Sequence, residues 1–284
     1  MTATRNRILM CPPDFFTVDY VINPWMAGHE GSPDIELAQE QWQTLRDSLG
    51  EYADIVIMEP QPDLPDLVFT ANAGVVYGNK AIASHFMPKE RRPEEPHLKK
   101  WFRENGYELL ELDEKIGFEG AGDCLFDRGG PWLWTGYGFR TEIEAHAEIQ
   151  KFFDVDLVSI RLTDSRFYHI DTCFCPLTGG FLMYHPPAFD FDSRIAIESR
   201  IPSHKRIVVD TADAGNFACN AVNIGDQVFL NKASAPLKAR LMIAGFEVHE
   251  VGLSEFLKAG GSAKCLTLKL DEPVRKWNRR AGDR

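Results

Sequence analysis

Apolar and polar residues follow a recurring pattern in this chain, in which short apolar runs alternate with turns and amphipathic segments. The first amphipathic segment covers residues 35–49, where apolar residues recur at helical spacing. Ser32, Pro33 and Asp34 precede it and Gly50 follows it, as is typical of a capped helix. The pattern predicts this helix and then a strand over residues 54–58.

A hairpin is predicted next, because two short strands flank the turn residues Gly78 and Asn79. Its strands cover residues 75–77 and 80–83, and a charged helix over residues 92–104 and a strand over residues 107–112 follow. This order of strand, strand, helix and strand is the unit that recurs in the rest of the chain.

Three further units have the same order of elements. Their predicted ranges are 123–126, 132–134, helix 141–153 and 156–160; then 172–175, 181–184, helix 193–199 and 206–209; then 221–224, 227–230, helix 236–244 and 247–251. A strand over residues 265–270, joined in space with the strand, helix and strand of residues 7–58, would complete a fifth unit. A period of about 45–55 residues is in the range of propellers. It predicts one closed domain over residues 1–284, although a doubly wound α/β sheet shows the same alternation.

Composition narrows the function classes. The chain has 284 residues, 44% of them hydrophobic, with 42 acidic and 31 basic residues and a net charge of −11. This charge disfavours nucleic acids and anionic membranes as partners and favours a small cation. No apolar stretch is long enough to span a bilayer, and the apolar run of residues 8–10 is too short for a signal peptide. Six scattered cysteines then predict reduced thiols and a cytoplasmic location.

Four residues that carry chemistry, His169, Asp171, Cys173 and Cys175, would share one face if their segment is a strand. Neighbours on that face are about 6.6 Å apart, so the four cannot converge on one tetrahedral metal ion. His169 and Asp171 can share a pocket. The alternative is a polar row on a half-buried strand with two packed cysteines.

Cys265 is the candidate nucleophile. It follows Gly260 and Gly261, which allow close approach of the backbone to a ligand, and it is predicted to start the last strand. At the rim of a closed fold its thiol could face a central cavity, with a distant histidine as acid and base. The alternative for any single cysteine is a small buried apolar residue.

Four segments together resemble, in order, the motifs of the guanidine-modifying superfamily, which includes arginine deiminases, dimethylarginine dimethylaminohydrolases and amidinotransferases. The segments are Asp66-Leu67-Val68-Phe69-Thr70-Ala71-Asn72, Phe118-Glu119-Gly120-Ala121-Gly122-Asp123, His169-Ile170-Asp171 and Gly260-Gly261-Ser262-Ala263-Lys264-Cys265. The resemblance implies the pentein fold, an α/β-propeller of five ββαβ units with pseudo-fivefold symmetry, and covalent catalysis at Cys265 with His169 as acid and base. It implies neither a metal nor another cofactor.

Within this superfamily, residues 10–16, residues 21–26 and the segment Thr70-Ala71-Asn72 are most similar to the arginine dihydrolases, which convert arginine to ornithine, two ammonia and carbon dioxide. In this resemblance, the deiminases and dimethylaminohydrolases have a carboxylate at the position where this chain has Asn72. A guanidinium ion only donates hydrogen bonds, so Asp171 and Asp66 suit it as acceptors. The ureido group that follows carries an accepting oxygen. Because an asparagine amide both accepts and donates, Asn72 could hold both groups and lead to ornithine.

Three further residues are expected at the substrate. Arg140 is predicted to open a helix, and by resemblance its guanidinium fork binds the substrate α-carboxylate; the alternative is a solvated surface charge. Asn23, on the loop of residues 11–31, is expected to contact the amino-acid end as a lid residue, although Asn-Pro is also an ordinary turn. Glu119 is expected to bind or orient the guanidinium side.

The rival functions are a citrulline-forming hydrolase of the deiminase or dimethylaminohydrolase type, an amidinotransferase, and a non-catalytic pentein binding protein. The sequence leaves open whether the chain forms a homo-oligomer. It also leaves open whether the guanidino substrate is free, methylated or N-acylated arginine.

Overall fold

The computed structural model describes residues 5–272 of the chain. Its strands are β1 (Asn6–Met10), β2 (Ala53–Ile57), β3 (Gly74–Tyr77), β4 (Lys80–Ala83), β5 (Glu108–Leu110), β6 (Cys124–Phe126), β7 (Trp132–Tyr137), β8 (Asp156–Arg161), β9 (Phe174–Leu177), β10 (Phe181–Tyr184), β11 (Arg206–Val208), β12 (Val222–Ile224), β13 (Gln227–Leu230), β14 (Glu247–Glu250) and β15 (Leu268–Lys269). Its α-helices are α1 (Ile35–Gly50), α2 (Glu95–Glu104), α3 (Ala145–Phe153), α4 (Phe191–Arg200), α5 (Thr211–Gly215), α6 (Ala235–Ile243) and α7 (Ser254–Leu257). Each strand and helix predicted from the sequence has a counterpart here.

The strands form five separate three-stranded sheets, which we call blades. In each blade one antiparallel pair is followed by one parallel pair, as in β3 with β4 and β4 with β5. The antiparallel pair needs only a short turn, whereas the parallel strand must be reached through a crossover helix, which is α2 in this blade. The repeated ββαβ unit predicted from the sequence is therefore confirmed.

The ring is closed by the two ends of the described chain. Strand β15 pairs antiparallel with β1, with Leu9 opposite Leu268, and β1 pairs parallel with β2. A doubly wound fold would place its parallel strands in one open sheet. Five separate sheets, the last closed by both chain ends, confirm the pentein α/β-propeller and exclude the doubly wound alternative.

Apolar faces of the helices and sheets build the cores between blades. Helix α1 buries Ala38, Trp42, Leu45 and Leu49 on one face, and the side chain of Asp34 accepts a hydrogen bond from the backbone N–H of Leu37 at 3.1 Å. This is the N-cap that the sequence predicts. None of the α-helices within residues 5–272 has both the length and the apolar character needed to cross a bilayer.

The third helix begins later than the predicted residue 141. Helix α3 starts at Ala145, because the backbone N–H of Glu142 donates to the carbonyl of Gly117 at 2.9 Å instead of entering the helix. Arg140 therefore lies in the bend between β7 and α3 and does not open a helix.

Two further expectations are wrong in their local geometry. Residues 168–175 are not one strand: Ile170–Thr172 form a 3₁₀ turn, in which the hydroxyl of Thr172 donates to the carbonyl of His169 at 2.6 Å, and β9 begins only at Phe174. Cys265 does not start a strand either, since the backbone N–H of Leu266 donates to the carbonyl of Ser262 at 3.1 Å in a tight turn. Short turns thus replace strand at both places.

Replacing Leu268 by alanine should lower the free energy of unfolding by about 2–5 kcal/mol. The substitution removes a buried side chain, and the surrounding residues relax only partly, so a cavity remains. Leu268 is 1% exposed and lies in the closing strand pair. Chemical denaturation measures the loss. As a control, Ile243→Ala removes a side chain that is 86% exposed and should change stability by less than about 0.5 kcal/mol. Equal losses in the two variants would contradict this role of the closing pair.

Candidate active site

The candidate site is built from the segments that immediately precede the first strand of each blade, which we call the entry turns. Three of them are 3₁₀ turns, Thr70–Ala73 before β3, Gly120–Gly122 before β6 and Ile170–Thr172 before β9. The other two carry Asn220 before β12 and Cys265 before β15. The fold therefore brings one entry turn from every blade to the centre of the ring.

Hydrogen bonds link these turns into a closed circle. The Asn72 amide donates to the carbonyl of Glu119 at 3.2 Å, and Asp123 accepts from the backbone N–H of Ile170 at 3.1 Å. The Asn220 amide donates to the carbonyl of Asp171, and its oxygen accepts from the backbone N–H of Cys265, both at 3.1 Å. The backbone N–H of Ala71 donates to the carbonyl of Cys265 at 3.1 Å and completes the circle. Each of the five turns thereby satisfies some of its buried polar groups through a bond to a neighbouring turn.

Cys265 lies between a carboxylate and an amide. Its sulfur is 3.6 Å from Oδ2 of Asp171 and accepts from Nδ2 of Asn220 at 3.1 Å. Burial, and next the negative charge of Asp171, raise the pKa of the Cys265 thiol well above its ordinary value. A raised pKa favours the protonated thiol, and a bound cation beside Asp171 would favour the thiolate.

Glu119 is fully buried between Arg140 and the imidazole of His169. Its carboxylate is 3.0 Å from Nη1 of Arg140 and 2.8 Å from Nε2 of His169. Burial alone would raise the pKa of Glu119, but Arg140 and then His169 outweigh it and lower the pKa to about 2. In the described part of the chain no hydrogen bond joins His169 to the sulfur of Cys265. The carboxylate instead fixes the imidazole on one side.

Asn72 has an amide whose orientation is determined by Arg91. Nη1 of Arg91 donates to the amide oxygen at 2.8 Å, while the amide nitrogen donates one proton to the carbonyl of Glu119. Gly122 allows this packing, because a Cβ there would lie 2.5 Å from Nδ2 of Asn72 and 3.1 Å from the ring of His169. With the oxygen already occupied, the group that Asn72 offers to a ligand is its second N–H.

Asp66 is a buried acceptor with one oxygen unused. Its Oδ2 accepts from the hydroxyl of Tyr20 at 2.9 Å, whereas its Oδ1 has no hydrogen-bond partner among the described residues. Burial raises the pKa of Asp66 and nearby Arg91 opposes that rise. An unpaired buried carboxylate oxygen is costly unless a ligand supplies a donor.

Arg140 and Asn23 connect the loop of residues 11–31 to the site. Arg140 is 6% exposed, donates from Nη2 to the carbonyl of Ile22 at 2.7 Å, and lies over the ring of Tyr168 at 4.8 Å. The alternative of a solvated surface charge is therefore wrong. Asn23 donates to the carbonyl of Ala259 at 3.0 Å. Gly260 has φ +79°, and a Cβ there would lie 2.8 Å from Oδ1 of Asn23, so glycine lets the loop close here.

These side chains surround a small pocket of about 280 Å³. It is lined by Ile22, Asn23, Met26, Asp66, Phe69, Asn72, Arg91, Arg140, Tyr168, Ala259, Gly261 and Cys265. Five of the eight residues expected from the sequence are on that lining. The other three are buried behind the lining, and each contacts one lining residue. Glu119 contacts Arg140, His169 packs against the ring of Tyr168, and Asp171 contacts the sulfur of Cys265.

Two residues of the site were not found from the sequence. Asn220 holds the sulfur of Cys265, and its position just before the first strand of the fourth unit is the signal that could have identified it. Arg91 orients Asn72 but belongs to a stretch with an ordinary surface-helix composition, so no local signal marks it. Within residues 5–272 no group of three or more His, Cys, Asp or Glu side chains is arranged to hold a metal ion.

Comparison with known proteins gives related sequences over nearly the whole chain. Residues 29–271 match the protein family described as N,N dimethylarginine dimethylhydrolase, eukaryotic. The chain is 56% identical over 272 residues to the bifunctional arginine dihydrolase/ornithine cyclodeaminase ArgZ of Synechocystis sp., which covers 96% of this chain and 39% of that protein. It is 40% identical over 272 residues to the N(G),N(G)-dimethylarginine dimethylaminohydrolase of Mycobacterium tuberculosis, which covers 95% of this chain and 87% of that protein.

Solved structures agree with this fold. The N-terminal domain of ArgZ, as a cysteine-to-serine variant bound to substrate, has a TM-score of 0.94 at 55% identity and covers 95% of this chain and 100% of that chain. The same domain as an asparagine-to-serine variant, covalently bonded to a reaction intermediate, also has a TM-score of 0.94 at 55% identity, over 95% of this chain and 99% of that chain. This chain spans 39% of the length of each bifunctional relative it matches.

Replacing Glu119 by glutamine should lower the free energy of unfolding by about 3–5 kcal/mol at neutral pH, because Arg140 loses its buried anionic partner. The pKa of Glu119 is lowered from 4.5 to about 2, so its contribution is fully present above pH 4.5 and is lost as the pH falls towards 2. Denaturation curves at several pH values should show the two proteins converging over this range. Glu104→Gln, at a side chain that is 64% exposed, is the matched control and should change little. A constant gap down to pH 2 would contradict the assignment.

Proposed function

This chain belongs to the N,N dimethylarginine dimethylhydrolase family, and we propose that it is an arginine dihydrolase. The proposed reaction consumes one L-arginine and two water molecules and releases one L-ornithine, two ammonia and one carbon dioxide. The observation that carries the proposal is the amide of Asn72, which presents an N–H donor beside Cys265 where a carboxylate would present only acceptors. The identity to bifunctional proteins with an arginine dihydrolase activity supports it.

The pocket suits both ends of arginine. Asp66, with its free oxygen, and Asp171, beside the sulfur, are the proposed acceptors for the guanidinium ion. Arg140 is the proposed partner of the α-carboxylate, since a guanidinium fork matches a carboxylate. Asn23 is the proposed lid residue at the amino-acid end. Glu119 acts on this side indirectly, by holding Arg140 and His169 in place.

The first half of the reaction removes one ammonia. The bound guanidinium ion offsets the negative charge of Asp171, so that Cys265 can pass its proton to His169 and its thiolate can add to the guanidino carbon. His169 donates a proton to the departing amino group, which leaves as ammonia and gives a covalent thiouronium adduct. The imidazole then takes a proton from water, the hydroxide adds to the same carbon, and the C–S bond breaks to give a ureido group.

The second half repeats this chemistry on the retained ureido group. The free N–H of Asn72 donates to the ureido oxygen and keeps that group against Cys265. The thiolate adds again, the second ammonia leaves, and the resulting thiocarbamate is hydrolysed to a carbamate. The carbamate loses carbon dioxide and leaves ornithine. A carboxylate at the position of Asn72 would repel the ureido oxygen and favour its release as citrulline.

A citrulline-forming hydrolase is the main alternative, and the 40% identity to a dimethylarginine dimethylaminohydrolase favours it over the others. Counting ammonia per arginine consumed separates the two: two ammonia with ornithine supports the dihydrolase, and one ammonia with citrulline overturns it. A panel of free, methylated and N-acylated arginine would define the substrate. An amidinotransferase would need an acceptor amine, and a non-catalytic binding protein would show no turnover.

The proposal places the activity in a single catalytic pentein domain over residues 1–284. The ring of blades, closed within the described residues by β1 and β15, supports this. We also propose a cytoplasmic location, which accords with six free cysteines. Size measurement in solution would establish whether the chain forms a homo-oligomer.

Asn72→Asp should shift the product from ornithine towards free citrulline, because the new carboxylate oxygen repels the ureido oxygen. Amino-acid analysis after complete conversion of arginine measures the ratio. Asn105→Asp, on the surface with its amide bound only to the carbonyl of Trp101, is the matched control and should keep the parent ratio. An unchanged ornithine yield in Asn72→Asp would show that the donor argument is wrong.

Cys265→Ser should abolish turnover, with a loss of at least about three orders of magnitude, while arginine still binds. The hydroxyl is a far weaker nucleophile than the thiolate, but Asp66, Asp171 and Arg140 are unchanged. Ammonia release measures turnover and calorimetry measures binding. Cys124→Ser, at a buried thiol outside this pocket, is the control and should retain activity. Full activity in Cys265→Ser would rule out covalent catalysis at this residue.

A further inference from the structure

A second cavity lies on the other side of the entry turns, inside the ring of first strands. We call it the rear cavity. It has about 580 Å³ of empty space and is partly open to solvent. The first strand of every blade contributes residues to its lining. Its apolar part includes Val75 of β3, Phe126 of β6, Phe174 of β9 and Val222 of β12. The proposed reaction does not use this space.

Positive charge predominates in the rear cavity. Arg128, Lys264 and Lys269 line it, together with one carboxylate, that of Glu272. The carboxylate of Glu272 already forms an ion pair, in which Nη2 of Arg128 donates to it at 3.0 Å. The described lining therefore carries more cationic groups than anionic ones.

The two ammonium groups are held by backbone carbonyls. Nζ of Lys269 donates to the carbonyl of Asn223 at 2.6 Å, and Nζ of Lys264 donates to the carbonyl of Thr267 at 3.3 Å. Neither forms an ion pair with a carboxylate of residues 5–272. Both lysines are partly buried and lack a carboxylate partner within that range, so this arrangement suits an anion that comes from solution.

We propose that the rear cavity binds a small organic carboxylate, with its anionic group between Lys264 and Lys269 and its apolar body against the first strands. The mostly apolar lining favours a carboxylate with a hydrocarbon body over inorganic phosphate, which would need donors on all sides.

The state of Lys269 supports this site. Burial, and next the neighbouring guanidinium of Arg128, lower the pKa of Lys269 to about 7, while Glu272 and Cys175 raise it and Lys264 lowers it. A bound anion favours the protonated ammonium. Binding should therefore be tighter at about pH 6 than at about pH 8.5, where Lys269 is largely neutral.

The rear cavity shares a wall with the candidate active site. Lys264 lines the cavity and Cys265 follows it in the same turn, while Asn220 holds the sulfur and the next residues, Ala221 to Asn223, line the cavity. An anion beside Lys264 would weaken the positive charge near Asp171 and Cys265, because Lys264 lowers the pKa of both. Occupation of the cavity should therefore slow alkylation of Cys265.

Calorimetric titration with hexanoate tests the proposal, with neutral hexanamide as the matched probe. Hexanoate should bind one to one, and hexanamide at least about tenfold more weakly. Lys269→Met keeps the apolar stem and should weaken hexanoate binding by at least about tenfold. Lys205→Met is the control, because that ammonium also donates to a carbonyl, of Gly179 at 2.6 Å, but lies outside the cavity. Equal binding of both probes, no binding at roughly 10 mM hexanoate, or unchanged binding by Lys269→Met would overturn the proposal.

Crystals soaked in 6-bromohexanoate provide a measurement that needs no variant. Bromine density among the first strands supports the rear cavity, whereas density only beside Arg140, or none, overturns it. Neither experiment depends on turnover, so failure of the proposed function leaves this result intact, and failure here leaves the proposed function intact.

Discussion

The circle of hydrogen bonds between the five entry turns is the constraint on which the site depends. Each turn brings polar backbone and side-chain groups into a buried centre, where they bond to the neighbouring turn. The circle is complete only because β15 pairs with β1 and places Cys265 next to Ala71. Ring closure and the position of the nucleophile are thus one structural event, and a slip in that strand pair would displace the sulfur from Asp171.

Buried charge around this circle is compensated within the protein before any substrate binds. Glu119 neutralises Arg140 and supports His169, while Arg91 is held by Glu94 and lies near Asp66. Burial still raises the pKa of Glu94 to about 7 despite Arg91. Folding itself brings these charged groups together and orients them, so the groups that face the substrate need little rearrangement when it binds. Oδ1 of Asp66 remains unpaired among the described residues, and Asp66 lines the pocket, so this oxygen is the acceptor we propose for the guanidinium ion.

In the proposed chemistry, the amide of Asn72 decides whether the product is ornithine or citrulline. Since Arg91 occupies the oxygen of Asn72, the nitrogen must face the substrate side, and a hydrogen-bond donor is built into the pocket. The fold alone does not distinguish a dihydrolase from a citrulline-forming enzyme, because both use the same ring and nucleophile. The distinction depends on whether the reaction intermediate meets an N–H or a carboxylate oxygen, and on what keeps that group in its orientation.

The sequence by itself determined the repeated order of elements, because helix and strand periodicities and turn residues are local properties. It also determined the candidate residues that lie within recognisable motifs, such as Cys265 and Asn72. Only the tertiary structure decided that residues 141–144 leave helix α3 for a contact with Gly117, and that Asn220 and Arg91 belong to the site. Those outcomes depend on partners tens of residues away along the chain, and such pairings are made by the closed ring and leave no local pattern in the sequence.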